Sequence, residues 1–110
     1  MTTKQPAAFR RLQIMNAAVK LAAQVGYSNI TRDEVAREAG VSNGMVNKYY
    51  STMPQLRRDV IRHAMRRAEE ATGPELITVL RIIAQAIALR DRHALKACIN
   101  IREQALATLN

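Results

Sequence analysis

The feature that most constrains this chain is a three-residue interval, Gly40-Val41-Ser42, between two short helical runs. Gly40 can take the positive φ that ends one helix, Val41 supplies an apolar plug, and Ser42 is an N-cap for the next helix. So short a link sets two helices steeply against each other. It leaves the second one, Asn43–Tyr49, outside the core, as in a helix-turn-helix.

Punctuation elsewhere fits an all-α chain. Residues 8–25 carry Leu12, Met15, Val19 and Ala22 beside Ile14, Ala18, Leu21 and Val25, a broad buried face that Gly26 terminates. Thr31 with Glu34 is a capping box that opens a second helix, whose Val35, Ala36 and Ala39 face inward. Thr52 with Gln55 repeats the box, and Pro54 costs no hydrogen bond in a first turn, so a fourth helix is expected over 53–70. Thr72-Gly73-Pro74-Glu75 makes another break and another box. Beyond Pro74 there is neither Gly nor Pro. A stripe of Leu76, Leu80, Ile83 and Ile87 is interrupted by charge at 90–93 and resumes at Ala94, Cys98 and Ile101. Two helices with a turn near Asp91 are expected there, with one bent helix as the alternative. The first half-dozen residues are expected to be disordered.

Composition narrows the partners. Among 110 residues, Lys and Arg number 17 against 9 Asp and Glu, a net charge of +8 that draws a chain to a polyanion by counterion release. Residues 1–70 hold 12 basic and 6 acidic residues, net +6, and residues 71–110 hold 5 and 3, net +2, so the surplus sits with the helix-turn-helix. The single cysteine excludes a disulfide framework within the chain and a four-thiolate zinc site. His63, His93 and Cys98 lack the paired spacing of a metal site, and no phosphate loop, nucleophile elbow or convergent carboxylate pair is present. The expectation is a non-enzymatic protein without cofactor or metal. The polar start and the interrupted apolar stretches show neither a signal peptide nor a membrane span, and cytoplasmic location follows as an expectation.

Ile14-Met15-Asn16-Ala17-Ala18, Leu21-Ala22, Gly26-Tyr27, Thr31, Val35-Ala36, Ala39-Gly40-Val41-Ser42-Asn43-Gly44 and Tyr49-Tyr50 with Leu56 resemble, in order and spacing, the DNA-binding domain of the tetracycline-repressor (TetR) family. The resemblance covers about residues 10–68. It implies a three-helix DNA-binding domain over 1–52, then a linking helix and a short helical dimerisation segment over 53–110. Members of that family are homodimeric transcriptional regulators, usually repressors, that read palindromic operators and commonly bind a small-molecule inducer in a larger C-terminal domain. Residues 74–110 can supply a dimer interface but hardly an enclosed pocket of several hundred cubic ångströms. A repressor without an inducer is therefore expected.

Carried over by position, the resemblance makes Asn43–Tyr49 the recognition helix, entered through Ser42. Asn43 stands where the family often has Lys or Arg, and Gly44 matches the residue that lets backbone approach DNA. Met45, Asn47 and Lys48 replace a small hydroxyl residue, a Tyr and a His. Their chemistry still suits base reading: Asn47 can pair bidentately with adenine, Lys48 can donate to guanine or phosphate, and Met45 can lie against a thymine methyl. Tyr49 and Thr31 match phosphate contacts, Thr31 at a helix N-terminus that favours anions. Met53 replaces a customary Lys, for which Arg57 or Arg58 could substitute. Tyr50 is expected under the turn, and Phe9 and Tyr27 in core or cap packing. The row Arg58, Arg62, Arg66 reads either as a phosphate rail or as a solvated face.

The apolar residues of 76–109 exceed what two exposed helices tolerate alone. Leu76, Leu80, Ile83, Ile87, Cys98 and Ile101 are accordingly assigned to a homodimer interface, with folding back on helices one and four as the competing use. Two such helix pairs across a two-fold axis would make a four-helix bundle and set the recognition helices one DNA turn, roughly 34 Å, apart. Two other roles keep parts of this reading: a nucleoprotein-forming protein for replication, partition or packaging, and a protein-binding antirepressor or adaptor.

Overall fold

The computed structural model describes residues 6–109, apart from the side chains of His93, Ala94, Ala97, Cys98 and Ile101. The expected disorder of the first half-dozen residues, apart from Pro6, which precedes α1 with extended backbone, and the interface roles of the Cys98 and Ile101 side chains thus lie outside what is described. The elements are α1 (Ala7–Val25), a 3₁₀ turn (Tyr27–Asn29), α2 (Arg32–Ala39), α3 (Asn43–Tyr49), α4 (Met53–Ala68), α5 (Gly73–Ala88) and α6 (Arg92–Ala107). The chain is all-helical among the described residues, with a helix-turn-helix formed by α2 and α3. No described helix is long and apolar enough to cross a membrane.

The helix starts follow from local chemistry. Thr31, Ser42 and Thr52 all have extended backbones, and each accepts the amide of the residue three further on, Glu34, Met45 and Gln55. In the first of these the Thr31 hydroxyl also donates a hydrogen bond to the Glu34 carboxylate, at 2.7 Å. The expected box at Thr72 does not form: its side chain makes no cap bond, and Glu75 is held instead by Arg67, whose Nη2 lies 2.6 Å from its carboxylate. A charge-assisted pair across the α4–α5 corner has outcompeted the local cap.

Two helices end the same way with different residues. Gly40 takes the left-handed conformation after α2 (φ 71°, ψ 32°), and the Val41 amide reaches back to the Ala36 carbonyl at 3.0 Å. After α5 it is Arg90 that has positive φ, 55°, while the Asp91 amide reaches the Ala86 carbonyl at 2.9 Å. Both are Schellman closures, which satisfy the last free carbonyls of a helix. The second divides residues 73–107 into two helices.

One core joins α1 to α5. Ile14 and Ala18 of α1, Ile30, Val35 of α2, Val46 of α3, Leu56 and Val60 of α4, and Ile82 of α5 are all fully buried. Each large apolar side chain placed there contributes about 1.5–3 kcal/mol. Tyr50 is buried beneath the turn, as is Tyr27 after α1, whereas Phe9 is half exposed rather than packed. Helix α5 lies against both α1 and α4, using Val79, Ile82 and Ala86 as its innermost row. Leu76 and Ile83 pack partly on the same core. Leu80 and Ile87 face outward with Ile77, and every described side chain of α6 is exposed.

Candidate nucleic-acid interface

Helix α3 is held by few anchors. Val46 is its fully buried residue, Met45 and Tyr49 are half-buried, and Asn43, Gly44, Asn47 and Lys48 are exposed on the outer side. Seven residues with one buried anchor cannot be there for the core alone. The Ser42 hydroxyl, accepting the Met45 amide at 3.1 Å, fixes where the helix begins. Gly44 has ordinary helical backbone, and a methyl added there would meet the Ser42 hydroxyl at 3.8 Å, a normal contact. The fold does not require glycine at this position, so its absent side chain is open space on the exposed face.

Both asparagines are braced from α2. The Asn43 amide donates to the Asp33 carboxylate, and the Arg32 guanidinium donates to the Asn47 side-chain carbonyl. A second Arg32 nitrogen donates to the Ser51 carbonyl at 3.4 Å. An amide oxygen has two lone pairs, so Asn47 held this way keeps an acceptor and its NH₂ donors for an adenine edge. Lys48 lies with its Nζ 5.7 Å from the Tyr49 ring centroid.

A second cluster forms where α1 passes the end of α3. The Arg11 guanidinium sits 5.6 Å from the Tyr49 ring and 6.0 Å from the Tyr50 ring. Cation–π contact of this kind orients the planar group while leaving its edge N–H donors for a phosphate. Burial pushes the Tyr50 phenol above its ordinary value and the Asp59 carboxylate adds to this, with Arg11 and Arg66 opposing. Tyr50 is thus a neutral platform, and half-buried Tyr49 presents the accessible phenol.

The remaining positions divide. Thr31 is exposed at the start of α2, its hydroxyl engaged in the cap, so the α2 amides are what it offers an anion. Arg57 donates from Nη2 to the Ile30 carbonyl at 3.2 Å, which ties α4 to the segment before α2. Arg58 is exposed. Met53 packs partly on the core. Arg62 pairs with Asp59 at 3.3 Å and, with Arg11, His63 and Arg66, lines an open groove of about 400 Å³ between α1 and α4. Burial holds the His63 imidazole below its ordinary value, Arg66 and Arg67 lower it further, and Glu75 opposes them.

Arg11 and Arg32 escaped the sequence reading. Each is one arginine in a basic chain, and what singles it out is a partner 15 or more positions away, on α3.

Residues 14–60 match the family model for bacterial regulatory proteins of the tetR family. Two curated proteins, both named HTH-type transcriptional regulator BetI, are similar to part of the chain. The one from Ectopseudomonas mendocina (strain ymp) is 34% identical over 64 residues, 58% of this chain and 33% of that protein. The one from Agrobacterium fabrum (strain C58 / ATCC 33970) is 35% identical over 57 residues, 52% of this chain and 28% of that protein. The matched stretch thus spans about a third of the length of these relatives.

Proposed function

We propose that this chain, whose residues 14–60 carry a TetR-family DNA-binding domain, is a homodimeric transcriptional repressor that occupies a palindromic operator overlapping a promoter. The observation that carries the reading is the outward face of α3: Asn43, Gly44, Asn47 and Lys48 are exposed on a helix anchored by buried Val46 and capped by Ser42. Asn47 and Lys48 read base edges, Met45 lies along the groove wall, and Arg11, Thr31, Tyr49 and Arg58 hold phosphates. Arg57 acts at one remove, by fixing the start of α4.

The exposed apolar faces of α5 and α6 bring two copies together, with Leu80 and Ile87 at the contact and Leu76 and Ile83 beneath it. A two-fold pairing places the recognition helices in successive major grooves, roughly 34 Å apart. The protein acts in the cytoplasm, without enzymatic chemistry. The groove between α1 and α4 is open to the surface, and no inducer is assigned to it.

The test is selection of bound sequences from a random DNA pool at about 150 mM salt, where purely electrostatic binding is weak. Recovery of a two-fold symmetric motif is the expected result. A pool with no enrichment, or one enriched in a single asymmetric half-site, would overturn the homodimeric operator reading.

A further inference from the structure

Tyr27 and Asp91 stand 64 positions apart in sequence, and the Tyr27 hydroxyl donates to the Asp91 carboxylate at 3.0 Å. Tyr27 belongs to the 3₁₀ turn that follows α1 and is 5% exposed, so its ring is fixed by the core of the DNA-binding unit. Asp91 is the residue on which α6 begins: its amide closes α5 onto Ala86, and its carbonyl accepts the first α6 bond from Leu95 at 2.9 Å. The bond therefore runs from the unit that carries the recognition helix to the pivot of the last helix.

That pivot carries α6. The helix leans on α4 and α5, and none of its described side chains is buried. Burial and the Asp91 carboxylate push the Tyr27 phenol up to about 12, which keeps its proton in place at any physiological pH. A helix of 16 residues is roughly 24 Å long, and a tilt of about 10° at its start moves the far end by roughly 4 Å. One base pair rises about 3.4 Å. Small changes at the pivot thus convert to whole base pairs at the other end.

We propose that the Tyr27–Asp91 hydrogen bond sets the angle of α6 against the DNA-reading unit, and so selects the spacing between the two operator half-sites. Tyr27 is a positioning residue in this scheme: it touches no DNA, and its loss leaves each half-site read as before. The inference rests on the homodimeric reading above, and its test separates the two.

The 110-residue chain is assayed by fluorescence anisotropy on its selected operator and on operators with one base pair added or removed at the centre. Thermal melts confirm that each variant is folded. Wild type is expected to prefer one spacing. In Tyr27→Phe and in Asp91→Ala that preference falls about fivefold, the scale of one missing hydrogen bond, while affinity for the selected operator and the bases preferred within a half-site are retained. Asp91→Asn keeps an acceptor oxygen for the Tyr27 hydroxyl and is expected to retain the wild-type preference. An unsymmetric selected motif sinks the homodimeric reading itself. With a symmetric motif in hand, the inference is overturned by a wild type indifferent to spacing, by a folded Tyr27→Phe as selective as wild type, or by an Asp91→Asn as relaxed as Asp91→Ala. It also falls if Tyr27→Phe and Asp91→Ala both fail to fold, because the bond is then holding the core and not setting an angle.

Discussion

Arg32, the first residue of α2, donates a hydrogen bond to the side-chain carbonyl of Asn47 on the exposed face of α3, and a second one to the Ser51 carbonyl. The Asn47 amide, proposed above to read a base, is thereby held by a guanidinium whose other nitrogen is tied to the backbone at Ser51. Such bracing removes rotamer freedom before DNA arrives, so less ordering remains to oppose binding.

Asn47→Ala should weaken binding to the selected operator by about 1–3 kcal/mol, the value of one good bidentate base contact. The loss should concentrate on one base pair per half-site, and Arg32→Ala should reduce discrimination at that same pair by a smaller amount. Titrations against the operator and a set of single-base variants measure both. Equal loss on every sequence would show that Asn47 holds the backbone and does not read a base.

Gly44→Ala separates folding from binding. The position has helical backbone and open space, so alanine should stabilise the folded chain by about 0.5–1 kcal/mol. On the exposed face the same methyl should hold the helix off the DNA and lower operator affinity at least tenfold, about 1.4 kcal/mol. A thermal melt and a binding titration on one preparation give both numbers. A stabilised variant with wild-type affinity would place the DNA elsewhere than against Gly44.

Arg11→Ala should weaken binding to operator and unrelated DNA alike, because a phosphate contact carries no sequence information. The slope of log affinity against log salt should become shallower by about 0.9 for each phosphate that Arg11 neutralises in the wild-type complex. Affinities measured from about 50 to about 300 mM salt resolve a change of that size. An unchanged slope would assign Arg11 to Tyr49 and Tyr50 packing alone.

What could be read from the residues followed the range of the forces involved. Ser42, Thr31 and Thr52 are caps whose partners lie three positions away, so the helix starts and all of α3 were visible in the sequence. Thr72-Gly73-Pro74-Glu75 has the same local signature, yet Glu75 pairs with Arg67 eight positions back, a competitor that no local pattern contains. The α5–α6 break stayed open because its left-handed residue is Arg90 and not a glycine. On α5 the apolar stripe Leu76, Leu80, Ile83, Ile87 was plain, but Val79, Ile82 and Ala86 form a second apolar row. With two such rows, periodicity cannot say which one meets the chain's own core. Arg11 and Arg32 gain their roles by folding, where α1 and α2 bring them beside α3.

The His63 imidazole, lowered chiefly by burial and then by Arg66 and Arg67, makes stability depend on pH. Its folded value lies below the unfolded one, about 6.5, so the unfolded chain takes up the proton first as pH falls. The contribution is therefore complete above about pH 6.5 and is lost as pH drops through the folded value. Melting temperatures measured from pH 7.5 down to 5 should decline, and His63→Gln should flatten that decline. A variant whose melting temperature falls as steeply as that of wild type would assign the acid sensitivity to other groups.

Leu80 is 49% exposed and Ile99 57%, on helices where Ile77, Ile87 and Leu106 are also open to solvent. Aspartate at either position, Leu80→Asp or Ile99→Asp, adds a charge where the isolated chain already meets water, so each single chain should still fold, its melting temperature lowered only by the stabilisation that association gives the wild type. In a dimer the same charge would be buried without a partner, a cost of several kcal/mol per ion against an interface of about 800 Å² on each side. Sedimentation velocity should therefore show the wild-type dimer replaced by monomer in both variants. Operator binding should fall much further than binding to an isolated half-site, since the link between two reading heads supplies the effective concentration that a monomer lacks. If both variants remain dimeric and bind the palindrome as wild type does, the contact between copies lies off α5 and α6, and these apolar faces serve a different partner.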